Sequence, residues 1–257
     1  MKLDQIAIQL YTLRDFCQTA AELAVTLKKV RDIGYTAAQV SGVGPIPPEE
    51  IRSIANDAGV HLCATHESGQ DIRENPGKVI EQLHKLGVTQ TAYPYPVGVD
   101  FADSTSVRAL IDDLNRSGKI MASEGISLSY HNHAIEFVRL GKTTVLDHIY
   151  ASTDPEALKA ELDTYWVHYG GGDVVRWCER MNGRLPLIHL KDYQFTHANT
   201  HAFAEVGAGN LDFARICAAA EASGCQWFIV EQDSCPGDPF QSIRQSFEYI
   251  RDHLVRA

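Results

Sequence analysis

Four side chains able to hold a metal ion or carry a proton fall near the ends of four successive strand-like runs in the second half of the chain. Glu136 follows SLSYHNHAI, Asp163 closes LKAELD, His189 lies in PLIHL and Glu231 follows QWFIV. Each run leads into a loop and then a helix-like stretch. If the runs are parallel strands of one closed barrel, all four side chains point into one cup. One histidine and three carboxylates there make an oxygen-rich seat for a divalent cation. Plainer roles exist for each residue alone. A carboxylate after an apolar run such as Gln226 to Val230 is costly unless paired or metal-bound, and a salt bridge would serve Glu231. Asp163 could cap the segment that follows, and His189 could be a hydrogen-bonded core histidine. The equivalent placement of all four carries the metal reading.

The segment YHNHAIEF is the most unusual in the chain. Along a strand His131 and His133 share one face, with Tyr130 and Asn132 on the other. Imidazoles on an inward face can ligate metal or move protons near neutral pH. Lys191 follows His189 by two residues and so shares its face, where an ammonium could hold an oxyanion or a hydroxyl group or act as an acid. His66 and Glu67 end the third run and Gln9 and Tyr11 the first, so these are candidates for substrate contacts. Trp166 and His168 could wall the pocket. GAGNLDF reads as a turn feeding a helix, with Asn210 or Asp212 near its cap.

Those positions require elements that repeat. IAIQLYT is followed by AELAVTLKKVRDIG, whose Leu23, Leu27, Val30 and Ile33 recur at helical spacing. AAQVSG precedes a helix opened by Pro47-Pro48-Glu49-Glu50 and closed at Gly59. VHLCATH leads to a helix from Pro76 to Leu86, TQTAYPYP to one from Ser104 to Glu124, and ISLSYHNH to one near VLDHIYAS. LKAELDT precedes DVVRWCERM, LPLIHLKDY precedes a polar loop and LDFARICAAAEASG, and CQWFIVEQD precedes FQSIRQSFEYIRDHL. Eight strand candidates alternating with eight helix candidates predict a single (β/α)8 barrel with parallel strands, one domain over residues 1–257. An open doubly wound sheet usually has a Gly-rich first turn, and LYTLRD contains no glycine. Barrel chemistry sits at the carboxyl ends of the strands, where all these candidates lie.

Composition narrows the partners. With 23 Lys plus Arg against 33 Asp plus Glu, the formal net charge is −10, which disfavours a nucleic-acid backbone as partner. The first residues, MKLDQIAIQLYTLRDF, lack the long apolar core of a signal peptide, and no run has the roughly 18 apolar residues of a membrane span. The six cysteines (Cys17, Cys63, Cys178, Cys217, Cys225, Cys235) are scattered without a CxxC and read as buried thiols. The expected location is cytoplasmic.

On the motifs YHNHAIEF, ELDTYWV, IHLKDY, EVGAGNLDF and FIVEQD, the chain resembles the sugar phosphate isomerase/epimerase superfamily of xylose isomerase-like TIM barrels, in its YHNHxxEF-bearing branch. The resemblance implies one divalent ion, manganese first with cobalt, magnesium or zinc as alternatives, held by Glu, Asp, His and Glu from the last four strands. Asp163, His189 and Glu231 match three of those ligands. At strand five the chain departs, because His131 aligns with the glutamate and Glu136 lies five residues further on. A reach back by Glu136 keeps the charge of the shell and is the expected ligand. The implied activity is a metal-dependent isomerase or epimerase of a sugar, keto-sugar or polyol, in which Glu231 and either His131 or His133 exchange a proton next to a carbonyl, with Lys191 beside them. An inosose dehydratase-like keto-polyol dehydratase or a 3-keto-glycoside lyase is the alternative, and a degenerate sugar-binding barrel the non-enzymatic one. Relatives often form dimers or tetramers, so a homo-oligomer is possible.

Overall fold

The computed structural model describes residues 1–256, and Ala257 lies outside the described residues. Eight parallel strands close into a barrel: β1 (Ile6–Gln9), β2 (Ala37–Val40), β3 (His61–His66), β4 (Gln90–Tyr93), β5 (Ser127–His131), β6 (Lys159–Asp163), β7 (Leu187–Leu190) and β8 (Trp227–Val230). Each strand pairs with its sequence neighbours, and β8 closes the ring by pairing with β1, Val230 opposite Ile8. Helices return the chain outside the barrel: α1 (Ala20–Ile33), α2 (Pro48–Ala58), α3 (Pro76–Leu86), α4 (Ser104–Ser123), α5 (Val145–Ser152), α6 (Val174–Arg180), α7 (Phe213–Ala222) and α8 (Pro239–His253). The predicted (β/α)8 architecture is the one observed.

Local chemistry explains the element ends. The Thr19 and Glu22 side chains form a capping box at the start of α1, and Leu23, Leu27, Val30 and Ile33 are its buried stripe. Pro48 opens α2, and Gly59, left-handed at φ 67°, closes it. The first strand is shorter than the run IAIQLYT suggests. Gln9 is its last residue, and Leu10–Phe16 turns as 3-10 helix with the Gln9 side chain accepting from the Tyr11 amide.

Two layers of core result. Apolar side chains between strands and helices form the larger cluster, and Ala7, Ala37, Cys63, Ala64, Leu187 and Ile229 form a smaller one. The strand period then sets what lies above that plug. Ala7 is followed on its face by Gln9, Ala37 by Gln39, Leu187 by His189 and Lys191, and Ile229 by Glu231. The barrel is apolar inside at one end and polar toward the carboxyl ends of its strands.

The polar stretch after β7, expected as loop, contains a hairpin of Asp192–Phe195 with His201–Ala204. Asp192 anchors the segment beyond it. Its buried carboxylate accepts hydrogen bonds from the amides of Tyr193 at 2.7 Å, Gly207 and Gly209 at 2.9 Å, and Leu211 at 3.2 Å. Gly209 has to be glycine here, since a Cβ would lie 2.5 Å from the Asp192 carboxylate and from the Tyr193 carbonyl. Asp212 caps α7 by accepting from the Arg215 amide, one of the two residues the sequence offered for that role. All six cysteines are free thiols, five of them buried. Among the described residues no helix is long and apolar enough to cross a membrane.

Candidate active site and metal centre

A cavity of about 400 Å³ opens at the carboxyl ends of the strands, lined by residues that include Tyr11, His66, Tyr95, His131, His133, Lys191, Glu231 and Asp233. Its floor is built by β5 to β8. The register places His131 opposite Glu161, Asp163 opposite His189, and His189 opposite Ile229. Side chains from adjacent strands therefore meet at one level. Donor atoms of His131, Asp163, His189 and Glu231 all lie within 4.8 Å of one another, and all four residues are buried.

Asp163 serves two ends. Its Oδ1 accepts from the Trp166 amide at 3.0 Å and so caps the short helix Thr164–Tyr169, as its N-cap reading anticipated. Its Oδ2 turns to the cluster, 2.9 Å from Lys191 Nζ but out of line for a hydrogen bond. Glu231 Oε2 lies 2.8 Å from both His189 Nδ1 and Lys191 Nζ. The aligned hydrogen bond of Lys191 goes to Asp233 Oδ1, at 3.0 Å.

Glu161, which sequence reasoning passed over, is the hub beneath. Its Oε1 lies 2.5 Å from His66 Nε2, 3.0 Å from His189 Nε2 and 3.2 Å from His131 Nδ1. Its Oε2 accepts from Gln39 Nε2 at 2.8 Å, and Gln39 Oε1 in turn accepts from Gln9 Nε2 at 2.9 Å. A signal for it existed. Glu161 precedes Asp163 by two residues on the same strand and so shares its face.

The electrostatics follow from burial and close charges. Burial disfavours charge on Glu161, but His66 and His189 hold its carboxyl well below the usual carboxylate range. Burial likewise opposes the charge of Glu231, and Lys191 and His189 overcome it in the same direction. For His189, burial alone would favour the neutral ring, yet Glu161 and Glu231 push it up to about 10. Asp163 is raised to about 6, by burial against the pull of Lys191. Burial, with the nearby His189, holds His131 well below the usual histidine range, and burial with Lys191 nearby lowers His133 to about 3.

These residues fit a divalent cation. Two members of the four-residue set carry buried atoms without a hydrogen-bond partner, His131 Nδ1 and Asp163 Oδ2, and such orphans are rare unless an ion, water or substrate satisfies them. Four carboxylates (Glu161, Asp163, Glu231, Asp233) face one ammonium and one doubly protonated imidazole, a formal deficit of two charges.

The other sequence candidates separate. Trp166 walls the site, its ring 5.5 Å from that of His133 and 5.6 Å from Lys191 Nζ. Gln9 is wholly buried beneath the cavity, bound to Gln39. The structure does not bring in Glu136, Glu67 or His168. Glu136 sits in the 3-10 turn Ile135–Phe137, and its two oxygens accept from the Tyr130 hydroxyl at 2.9 Å and the His133 amide at 2.8 Å. Its carboxylate is spent on holding the turn, and His131 occupies the strand-five position of the cluster. Glu67 shifts away toward Thr65, Asp71 and Lys78. His168 is exposed and stacks edge-on to Tyr193, at a separate depression beside α6 and α7.

Known proteins share this frame. An inosose dehydratase of Geobacillus thermodenitrificans is 29% identical over 160 residues, 56% of this chain and 53% of that protein. The match to it therefore spans about half of that relative's length. A second, from Geobacillus kaustophilus, is 25% identical over 268 aligned positions, covering 89% of this chain and 86% of the relative. Among solved structures, a sugar phosphate isomerase/epimerase from Parabacteroides distasonis superposes with a TM-score of 0.84 at 21% identity, over 99% of this chain and 96% of that one. A xylose isomerase-like TIM barrel protein from Mycobacterium smegmatis, in complex with magnesium, gives 0.71 at 16% identity, over 98% and 97%. The model of the xylose isomerase-like TIM barrel family matches residues 27–253, and the chain belongs to that family.

Proposed function

We propose that the protein is a divalent-metal-dependent isomerase or epimerase of a small sugar, keto-sugar or polyol, acting by proton transfer at the carbon next to a carbonyl. The observation that carries this reading is the convergence of His131, Asp163, His189 and Glu231 at the floor of a cavity with two buried orphan atoms among them. These four would hold the ion, which when bound would polarise a substrate carbonyl as a Lewis acid. Manganese is the first choice, with cobalt, magnesium and zinc as alternatives.

The chain's own groups supply the rest. Glu231, kept ionised by Lys191 and His189, is one proton acceptor. His133, kept neutral by burial and lining the same cavity, is the other. His131 would be the strand-five ligand, which leaves the second proton transfer to His133. Lys191, with its charge enforced by three carboxylates, neutralises negative charge that develops on a substrate oxygen. Trp166 and Tyr95 flank the His133 ring. No arginine is among the cavity-lining residues, which supports an unphosphorylated substrate.

The inosose dehydratase relatives favour a second reading on the same groups, in which loss of a β-hydroxyl follows proton removal and Lys191 delivers the proton to the departing water. Incubation with keto-sugars and keto-inositols in deuterated water separates the two. Deuterium entering the α carbon with an epimer as product supports the first, and an unsaturated ketone supports the second. Glu231→Gln is expected to abolish exchange, and a fully active variant removes Glu231 from this role.

A further inference from the structure

Beneath the four residues assigned above lies another converging set. Donor atoms of His66, His131, Glu161 and His189 also fall within 4.8 Å of one another. We propose that this set is a second, nitrogen-rich cation seat that binds a zinc-class ion through three imidazoles and one carboxylate. It shares the residues His131 and His189 with the outer seat, and His189 faces Glu161 with Nε2 and Glu231 with Nδ1.

The hydrogen-bond pattern around Glu161 is the first reason. Three ring nitrogens crowd its Oε1, at 2.5, 3.0 and 3.2 Å. One oxygen has two lone pairs to offer, and the third nitrogen, His131 Nδ1, is buried and left without a hydrogen bond. A cation at the centre of the set would use all four donors at once. The second reason is orientation from below. Gln39 Nε2 fixes Glu161 Oε2 at 2.8 Å, and Gln9 Nε2 in turn donates to Gln39 Oε1 at 2.9 Å. Such an outer ring of hydrogen bonds is what aims metal ligands.

Charge and donor type then divide the two seats. The only buried ammonium in the cluster is committed to Asp163, Glu231 and Asp233, all at the outer level. Glu161 has no such partner, and its neighbours are three imidazoles and the Gln39 amide. Lys191 therefore opposes a cation at the outer seat directly and at the inner seat only at longer range. Three imidazoles with one carboxylate suit zinc, cobalt or nickel, whereas two carboxylates in the outer set suit manganese or magnesium better. Access exists, because His66 and His131 both line the cavity.

The test uses the full chain and metal ions alone. X-ray absorption of the unmodified protein at one equivalent of zinc is expected to count three imidazoles around the ion. Two or fewer, the most that the outer seat can supply, would overturn the proposal. Calorimetric titration adds the second arm. His66→Asn is expected to weaken zinc binding by about 10-fold or more while manganese affinity stays within about twofold, and Asp163→Asn is expected to do the reverse. Equal zinc affinity in His66→Asn and its parent also overturns it. This seat does not depend on the proposed reaction: manganese binding that survives Asp163→Asn would remove the catalytic centre assigned above and leave the inner seat standing.

Discussion

Replacing Lys191 by methionine is expected to destabilise the metal-free protein and to make its stability depend on a divalent cation. The ammonium lies 2.9 Å from Asp163 and 2.8 Å from Glu231, and all three side chains are at most 5% exposed. At an effective dielectric of about 20, each such contact represents roughly 5 to 6 kcal/mol of attraction. Desolvation offsets much of it, and removing one partner of a buried pair costs about 3–5 kcal/mol, chiefly because the other charge is left bare. Asp233, 29% exposed, keeps some of its hydration and adds little to that figure. In a chain of 257 residues, a loss of that size lowers Tm by roughly 6 to 20 °C. The assay is thermal unfolding in chelator and again with excess manganese, for parent and variant. Manganese is expected to raise the Tm of the variant more than that of the parent, since the added ion takes over the charge compensation that Lys191 provided. Equal shifts in both proteins, or a variant less than about 1 kcal/mol weaker than its parent in chelator, would refute the argument that Lys191 and the ion share one pair of carboxylates.

Further outcomes are expected at groups around the site. Glu136→Gln should lower stability by about 1–3 kcal/mol, through weakened bonds to the Tyr130 hydroxyl and the His133 amide, with manganese affinity unchanged within about threefold; urea unfolding and calorimetry read the two. Burial raises the folded-state pKa of Glu67 from 4.5 to about 7, so the native state holds this proton more tightly than the unfolded chain. The associated stability is complete below about pH 4.5 and lost as pH rises to about 7, by up to about 1.4 kcal/mol per pH unit. Urea midpoints for the parent should fall across that window relative to Glu67→Gln, and parallel curves would contradict it. Asp192→Ala strands four amides of the Tyr193–Leu211 region and should cost at least about 3 kcal/mol, with faster amide exchange at Gly207, Gly209 and Leu211 as its local sign.

The barrel was legible in the sequence because its signals are local. Proline at the start and glycine at the end of α2 and α3, and the apolar spacing along α1, are each read within a dozen residues. The hairpin of Asp192–Phe195 with His201–Ala204 escaped because its strands are short and joined by the polar run THANT, which carries no alternation to read. At the site, His131, Asp163, His189, Lys191 and Glu231 stood out as polar residues closing apolar runs. Glu161 and Gln39 did not, because each lies inside its strand, where a charged or amide side chain reads as facing solvent unless the barrel is already closed around it. Glu136 shows the opposite error. Keeping the charge of the ligand shell suggested Glu136 as a ligand, whereas the turn that follows the strand uses its carboxylate to hold the Tyr130 hydroxyl and the His133 amide. Asp163 is divided between the helix start, which takes one oxygen, and the cluster, which the other faces.

Asp192 gives this mouth an unequal mechanical character. Lys191 and Asp192 are consecutive, yet one reaches into the cavity while the other ties four amides of the chain after β7 to the same strand end. That side of the entrance is thus fastened to the strand that carries Lys191, and a shift there would drag the ammonium with it. Across the opening, Tyr95 and Val97 stand 44% and 76% exposed on the segment after β4. Selection for a different ligand would find freedom to vary at Tyr95 and Val97, while the Gly207–Leu211 stretch would resist exchange.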